Sequence, residues 1–165
     1  MPKTVRIVLA VVLGFIVGSL VNMSLILVSG SVIPPPSGAD TTTMEGLKAA
    51  LPLFEPKHFL FPFLAHALGT LAGAYAATLL APDRSALPAY VVGVLFLLGG
   101  VANVFMLPGP AWFNAVDLVF AYLPTAWLGQ RPAGRTRAPL SCSTRWRSRI
   151  PARRYPRCAT SRSRS

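Results

Sequence analysis

Five side chains able to do chemistry lie inside otherwise apolar stretches: Asn22, His66, Asn103, Asn114 and Asp117. Ionisable and amide groups are costly to bury in hydrocarbon, so their presence there points first to a site, with Asp117 as its fixed charge. Such a set could bind a cation, relay a proton or hold a small polar solute. The competing reading is interhelical glue, because Asn and His in membranes often serve only as hydrogen bonds worth about 0.6 kcal/mol each. Asn114 and Asp117 are three apart and share a helix face, as do Gly99 and Asn103 at four apart.

The same residue types argue against several other chemistries. His58 and His66 lack the close spacing of zinc-binding pairs, and no serine nucleophile elbow, phosphate loop or dinucleotide fingerprint occurs. No catalytic residue, metal site or cofactor is therefore expected, and the protein is not expected to be an enzyme. Both cysteines, Cys142 and Cys158, fall near the C-terminus, so no disulfide framework supports the remainder.

Four apolar stretches must position the polar residues, at about 5–28, 58–81, 88–107 and 111–129. Each is near the roughly 20 residues needed to cross a hydrocarbon core. The first continues too far, without a small-residue exit, to be a cleaved signal peptide, so it reads as a retained anchor. Pro124 is expected to kink the fourth. Tight turns around 82–87 and 108–110 make the neighbouring stretches antiparallel hairpins. Between the first two lies a longer loop that opens with Pro34, Pro35 and Pro36. There Thr42 and Glu45 have capping-box spacing, and Met44, Leu47 and Leu51 share one face of a short helix suited to the bilayer surface.

Small residues specify the packing. Ala65, Gly69, Gly73, Ala77 and Ala81 recur every fourth residue, and Gly14, Gly18 and Asn22 form a similar stripe on the first stretch. Such seams let membrane helices approach closely, within one chain or in a homo-oligomer.

The formal charge of +11 divides sharply. Through Gln130 the cations Lys3, Arg6, Lys48, Lys57 and Arg84 balance Asp40, Glu45, Glu55, Asp83 and Asp117, whereas residues 131–165 hold only arginine among their charged residues. That segment lacks apolar periodicity and reads as a disordered Arg/Ser/Pro-rich tail. Its composition is also what GC-rich DNA encodes out of frame, so a frameshift artefact is the favoured account. Lys3, Arg6 and Arg84 on one side oppose Lys48 and Lys57 on the other, and the first span usually dominates orientation, which puts both termini in the cytoplasm. In that orientation the polar residues sit in the outward half of the membrane, His66 about 12 Å and Asp117 about 9 Å into their spans.

The expected fold is thus all-α: residues 1–130 form a four-helix transmembrane bundle, with a short interfacial helix in the first outer loop and a basic tail beyond. The lipid bilayer is its expected partner, and no nucleic acid is. Two segments, FEPKHFLFPFLAHALGT at 54–70 and LGGVANVFMLP at 98–108, resemble an uncharacterised family of small bacterial inner-membrane proteins. The resemblance covers about residues 3–130 and implies a compact four-span protein of the cytoplasmic membrane with nothing catalytic. The function expected from sequence is a structural or accessory membrane component, the alternative being a subunit of a small ion or solute transporter or channel with an outward polar pocket.

Overall fold

The structure, a computed structural model, describes residues 1–135. The expectations for the tail beyond Arg135 lie outside the described residues. Those residues form six α-helices: α1 (Lys3–Val32), α2 (Met44–Ala50), α3 (Leu60–Leu80), α4 (Leu87–Met106), α5 (Ala111–Phe120) and α6 (Leu123–Arg135). Short 3-10 turns connect α2 to α3 and α3 to α4, and no strand occurs among the described residues.

Three segments, Lys3–Val32, Pro56–Leu80 and Leu87–Met106, are long and apolar enough to cross a membrane. Their outer faces carry large apolar side chains that water would not tolerate in such numbers: Leu27 is 72% exposed, Leu98 60% and Phe105 82%. At about 1.5 Å per residue, α1 is about 45 Å long, more than a hydrocarbon core of about 30 Å requires.

The fourth apolar stretch departs from expectation. It is not one kinked helix but two short ones, α5 of 10 residues and α6 of 13. The break falls at Ala121 and Tyr122, with Pro124 in the first turn of α6. Proline has no N–H to give the carbonyl four residues back, and its ring crowds that carbonyl, so α5 cannot continue through it. Local hydrogen bonds flank the break. The Ala121 N–H donates to the Asp117 carbonyl at 2.9 Å, and the Thr125 hydroxyl donates to the carbonyls of Ala121 and Tyr122 at 2.6 and 2.9 Å. Helix α6 also runs past Gln130, so the change of composition there does not coincide with the helix end.

Helix α3 is the centre of the molecule, packed against α1, α4 and α6. The seam residues Ala65, Gly69, Gly73, Ala77 and Ala81 are all buried. Gly14 and Gly18, on α1, face them so closely that side chains have no room. A Cβ on Gly14 would lie 2.6 Å from the Ala77 Cβ, and one on Gly18 would lie 2.6 Å from the Gly69 carbonyl oxygen. The two small-residue stripes therefore meet within one chain. The opposite side of α3 is equally tight, since a Cβ on Gly129 would come within 2.5 Å of the Leu71 carbonyl. Ala74, Ala89 and Ala126 form the small core shared by α3, α4 and α6.

Contacts at the two ends fix how the helices run. Lys3 pairs with Asp83 at 3.7 Å, and the Arg84 guanidinium donates to the Ala133 carbonyl at 2.8 Å. The start of α1, the α3–α4 turn and the end of α6 thus share one end of the bundle. At the other end the His58 ring bridges two segments: the Glu55 N–H donates to its Nδ1 at 3.0 Å, and Nε2 lies 3.2 Å from the Pro34 carbonyl. With Nδ1 accepting, the ring proton belongs on Nε2, so His58 ties the exit of α1 to the entry of α3. Phe59, Trp112 and Phe113 cluster at this same end, with the rings of Phe59 and Phe113 4.8 Å apart.

The connecting loop contains α2, but its start differs from the expected capping box. Thr43, not Thr42, is the N-cap, accepting the Gly46 N–H at 3.0 Å. Thr42 is engaged elsewhere: its hydroxyl and N–H both donate to Asp40 Oδ1, at 2.6 and 2.8 Å. These bonds, led by the Thr42 hydroxyl, hold the Asp40 carboxyl below its ordinary value of 3.8. Because the folded value is depressed, the carboxylate supports the loop above pH 3.8 and loses that role as pH falls through the lower folded value. Thr42→Val should move the Asp40 carboxyl titration, followed by NMR, upward toward 3.8; an unchanged midpoint would show that the Thr42 bond is not its cause.

Candidate polar site

The break in the fourth stretch places Tyr122 where it completes a buried network. Asp117, near the end of α5, is only 5% exposed, and both its oxygens lie 2.9 Å from His66 Nδ1 on α3. The Tyr122 hydroxyl donates to Asp117 Oδ2, also at 2.9 Å. The Tyr122 ring stacks on the imidazole with centroids 5.7 Å apart and planes 30° from parallel. One turn along α3, the Thr70 hydroxyl donates to the His66 carbonyl at 2.7 Å, which satisfies a buried hydroxyl without drawing on the network.

A carboxylate this buried needs donors, and the two side chains supply them. A tautomer with the proton on Nδ1 lets Asp117 accept from both His66 and Tyr122. In a neutral ring Nε2 then keeps its lone pair.

His66 also lines a cavity of about 310 Å³ between α1 and α4. Ser19 and Asn22 of α1 and Asn103 of α4 bring further polar groups to its wall. Aromatic surface comes from Phe15, Phe96 and Tyr122, with Phe15 and Phe96 in mutual contact at 5.1 Å. Gly99 and Gly100 keep the α4 wall low. They differ in freedom, since a Cβ on Gly100 would strike the Tyr122 hydroxyl whereas one on Gly99 meets nothing within 4 Å. The Asn22 Oδ1 is buried and has no hydrogen-bond partner. An atom in that position typically costs about 1–3 kcal/mol, so it marks a place where the protein alone is not at its most stable.

Of the five residues singled out by sequence, the structure brings four together: Asn22, His66 and Asn103 on the cavity and Asp117 directly behind His66. Asn114 stands apart, its amide donating to the Gly109 carbonyl at 3.2 Å, where it steadies the turn between α4 and α5. Tyr122 is the participant that sequence reasoning missed. Its distance of five residues from Asp117 is wrong for one helical face, and only the helix break lets its hydroxyl turn back to that carboxylate. The available signal was Pro124, whose disruption reaches the preceding turn. No cluster of three or more His, Cys, Asp or Glu side chains occurs among the described residues. Compared with protein-family models, with curated proteins and with solved structures, the chain has no match.

Proposed function

We propose that this is a polytopic protein of the bacterial cytoplasmic membrane, crossing four times with both termini cytoplasmic, the lipid bilayer as its partner, and acting as a non-catalytic structural or accessory component. The three long apolar helices support membrane insertion. The fourth crossing is the α5–α6 pair, which starts beside Phe59 and ends at Arg84. Orientation rests on the sharing of one end by Lys3, Arg84 and Arg131, the last stacked 3.4 Å above the Trp127 ring. Positive residues are retained on the cytoplasmic side, and aromatic clusters such as Phe59, Trp112 and Phe113 suit an interface. The uncharacterised inner-membrane family resembled by segments 54–70 and 98–108 fits this reading.

The observation that carries the accessory role is the His66–Asp117–Tyr122 network, which joins α3 to the α5–α6 break with every Asp117 oxygen hydrogen-bonded inside the protein. Reporter fusions after Gly38 and after Gln130 test the topology. A reporter at Gly38 should be periplasmic and one at Gln130 cytoplasmic; the reverse at either position would defeat the arrangement.

A second reading, a subunit of a small solute transporter, is favoured by one feature. The cavity meets a discontinuous crossing at Tyr122, and interrupted helices commonly line substrate sites near the bilayer midplane.

A further inference from the structure

We propose that the cavity between α1 and α4 is a site for a primary ammonium group, received by His66 Nε2 and the aromatic faces of Phe15, Phe96 and Tyr122, with Asp117 behind His66 as countercharge. This goes beyond the accessory role and rests on the membrane reading.

The charge distribution selects the class of ligand. Asp117 is the acidic side chain of the network, while Lys3, Arg84 and Arg131 gather at one end of the bundle and Lys57 pairs with Glu55 in the connecting loop. Among the described residues, no lysine or arginine lines the cavity. Among the described residues, an anion would find an acidic side chain behind His66 and no cationic one to receive it. A cation gains from Asp117 through the polarised imidazole, and aromatic faces attract cations further in a desolvated setting.

Hydrogen bonding narrows the class to an N–H donor. Nδ1 is engaged with Asp117, which leaves Nε2 as the other ring nitrogen of this cavity-lining side chain, and it is an acceptor in a neutral ring protonated on Nδ1. Ser19 offers a further acceptor on the α1 wall, and the buried Asn22 Oδ1 beside it has no partner within the protein. The mixture of three aromatic side chains and a few polar groups suits an ammonium group on a short apolar stem. A volume of about 310 Å³ is at the small end of ligand sites. Such a group could come from a free amine or from the headgroup of an aminolipid in the surrounding leaflet.

The test uses the full-length protein in phosphatidylcholine nanodiscs and follows thermal unfolding. Methylammonium chloride should raise Tm saturably, while sodium chloride, acetamide and sodium acetate should not, because a ligand that prefers the folded state stabilises it. If the source is lipid, nanodiscs containing phosphatidylethanolamine should give the rise without added amine. His66→Gln should weaken the methylammonium response at least about tenfold. Gly99→Leu provides a variant that should fold, since a Cβ there meets nothing within 4 Å, yet fills the cavity and should abolish the response. Silence toward both amine sources, an equal response to acetamide, or a response retained in Gly99→Leu would overturn the proposal. Reporter topology fails or stands independently of these results.

Discussion

Asp117→Ala should be among the most destabilising single substitutions in the protein, with an expected loss of about 3 kcal/mol or more. An interhelical hydrogen bond in a membrane averages only about 0.6 kcal/mol, because a partly unfolded chain also finds partners in the bilayer. Asp117 should exceed that average for two reasons. Its carboxylate is 5% exposed, and it accepts from two side chains on different elements, each at 2.9 Å. Removing it leaves His66 Nδ1 and the Tyr122 hydroxyl without their acceptor, and the cost of leaving those groups unpaired adds to the bonds themselves. The cycle of Asp117→Ala, His66→Ala and the double variant, measured by thermal unfolding in detergent, should show coupling of about 1 kcal/mol or more. Losses that add to within about 0.3 kcal/mol would mean that the pair does not act as a unit. Tyr122→Phe removes only the hydroxyl and should fall well short of Asp117→Ala.

Gly18→Val is expected to disrupt the bundle by a different mechanism. The new Cβ would lie 2.6 Å from the Gly69 carbonyl oxygen and 2.9 Å from the Phe96 ring. The ring could turn aside, but the carbonyl belongs to the α3 backbone and is held by helical hydrogen bonds. Helix α1 must therefore back away, and the close approaches of Gly14 to Gly73 and of Gly69 to Asn22 are lost with it. Overpacking alone typically costs about 1–3 kcal/mol, and the shared spacing of these contacts should place Gly18→Val at or above the top of that range. Gly30→Val is the matched control. It lies on the same helix with nothing within 4 Å of its Cβ, and it should change stability by no more than about 0.5 kcal/mol. Equal melting of the two variants would show that the α1–α3 seam is not close-packed.

Much of this architecture was legible in residue type and spacing. Helices α1, α3 and α4 follow directly from long apolar runs, because a chain segment surrounded by lipid must satisfy its backbone hydrogen bonds internally. The stripes at Gly14 and Gly18 and at Gly69 and Gly73 were equally plain, since a four-residue period keeps small residues on one helix face. Sequence left open whether those stripes joined two chains or one, as periodicity describes a surface and not what covers it. The tertiary structure decided that α1 covers α3 within the chain.

The polar site divides in the same way. Composition identified Asn22, His66, Asn103 and Asp117 as unusual, because polar groups stand out against apolar runs. Depth along each span could place them at a similar level, but depth says nothing of rotation about each helix axis. Rotation is what sends Asn114 to the Gly109 carbonyl and Asp117 to His66, although the two residues are only three apart. Tyr122 depended on tertiary structure altogether. Pro124 made a disturbance predictable, but whether the helix bends or ends there depends on the surrounding contacts, and here Thr125 bonds the carbonyls of Ala121 and Tyr122 at the break. Sequence thus determined which segments are helical and which residues are costly to bury, both properties of local chemistry. The packing of α3 among its neighbours decided which of those residues meet, because that depends on helix rotation and on contacts between residues far apart in the chain.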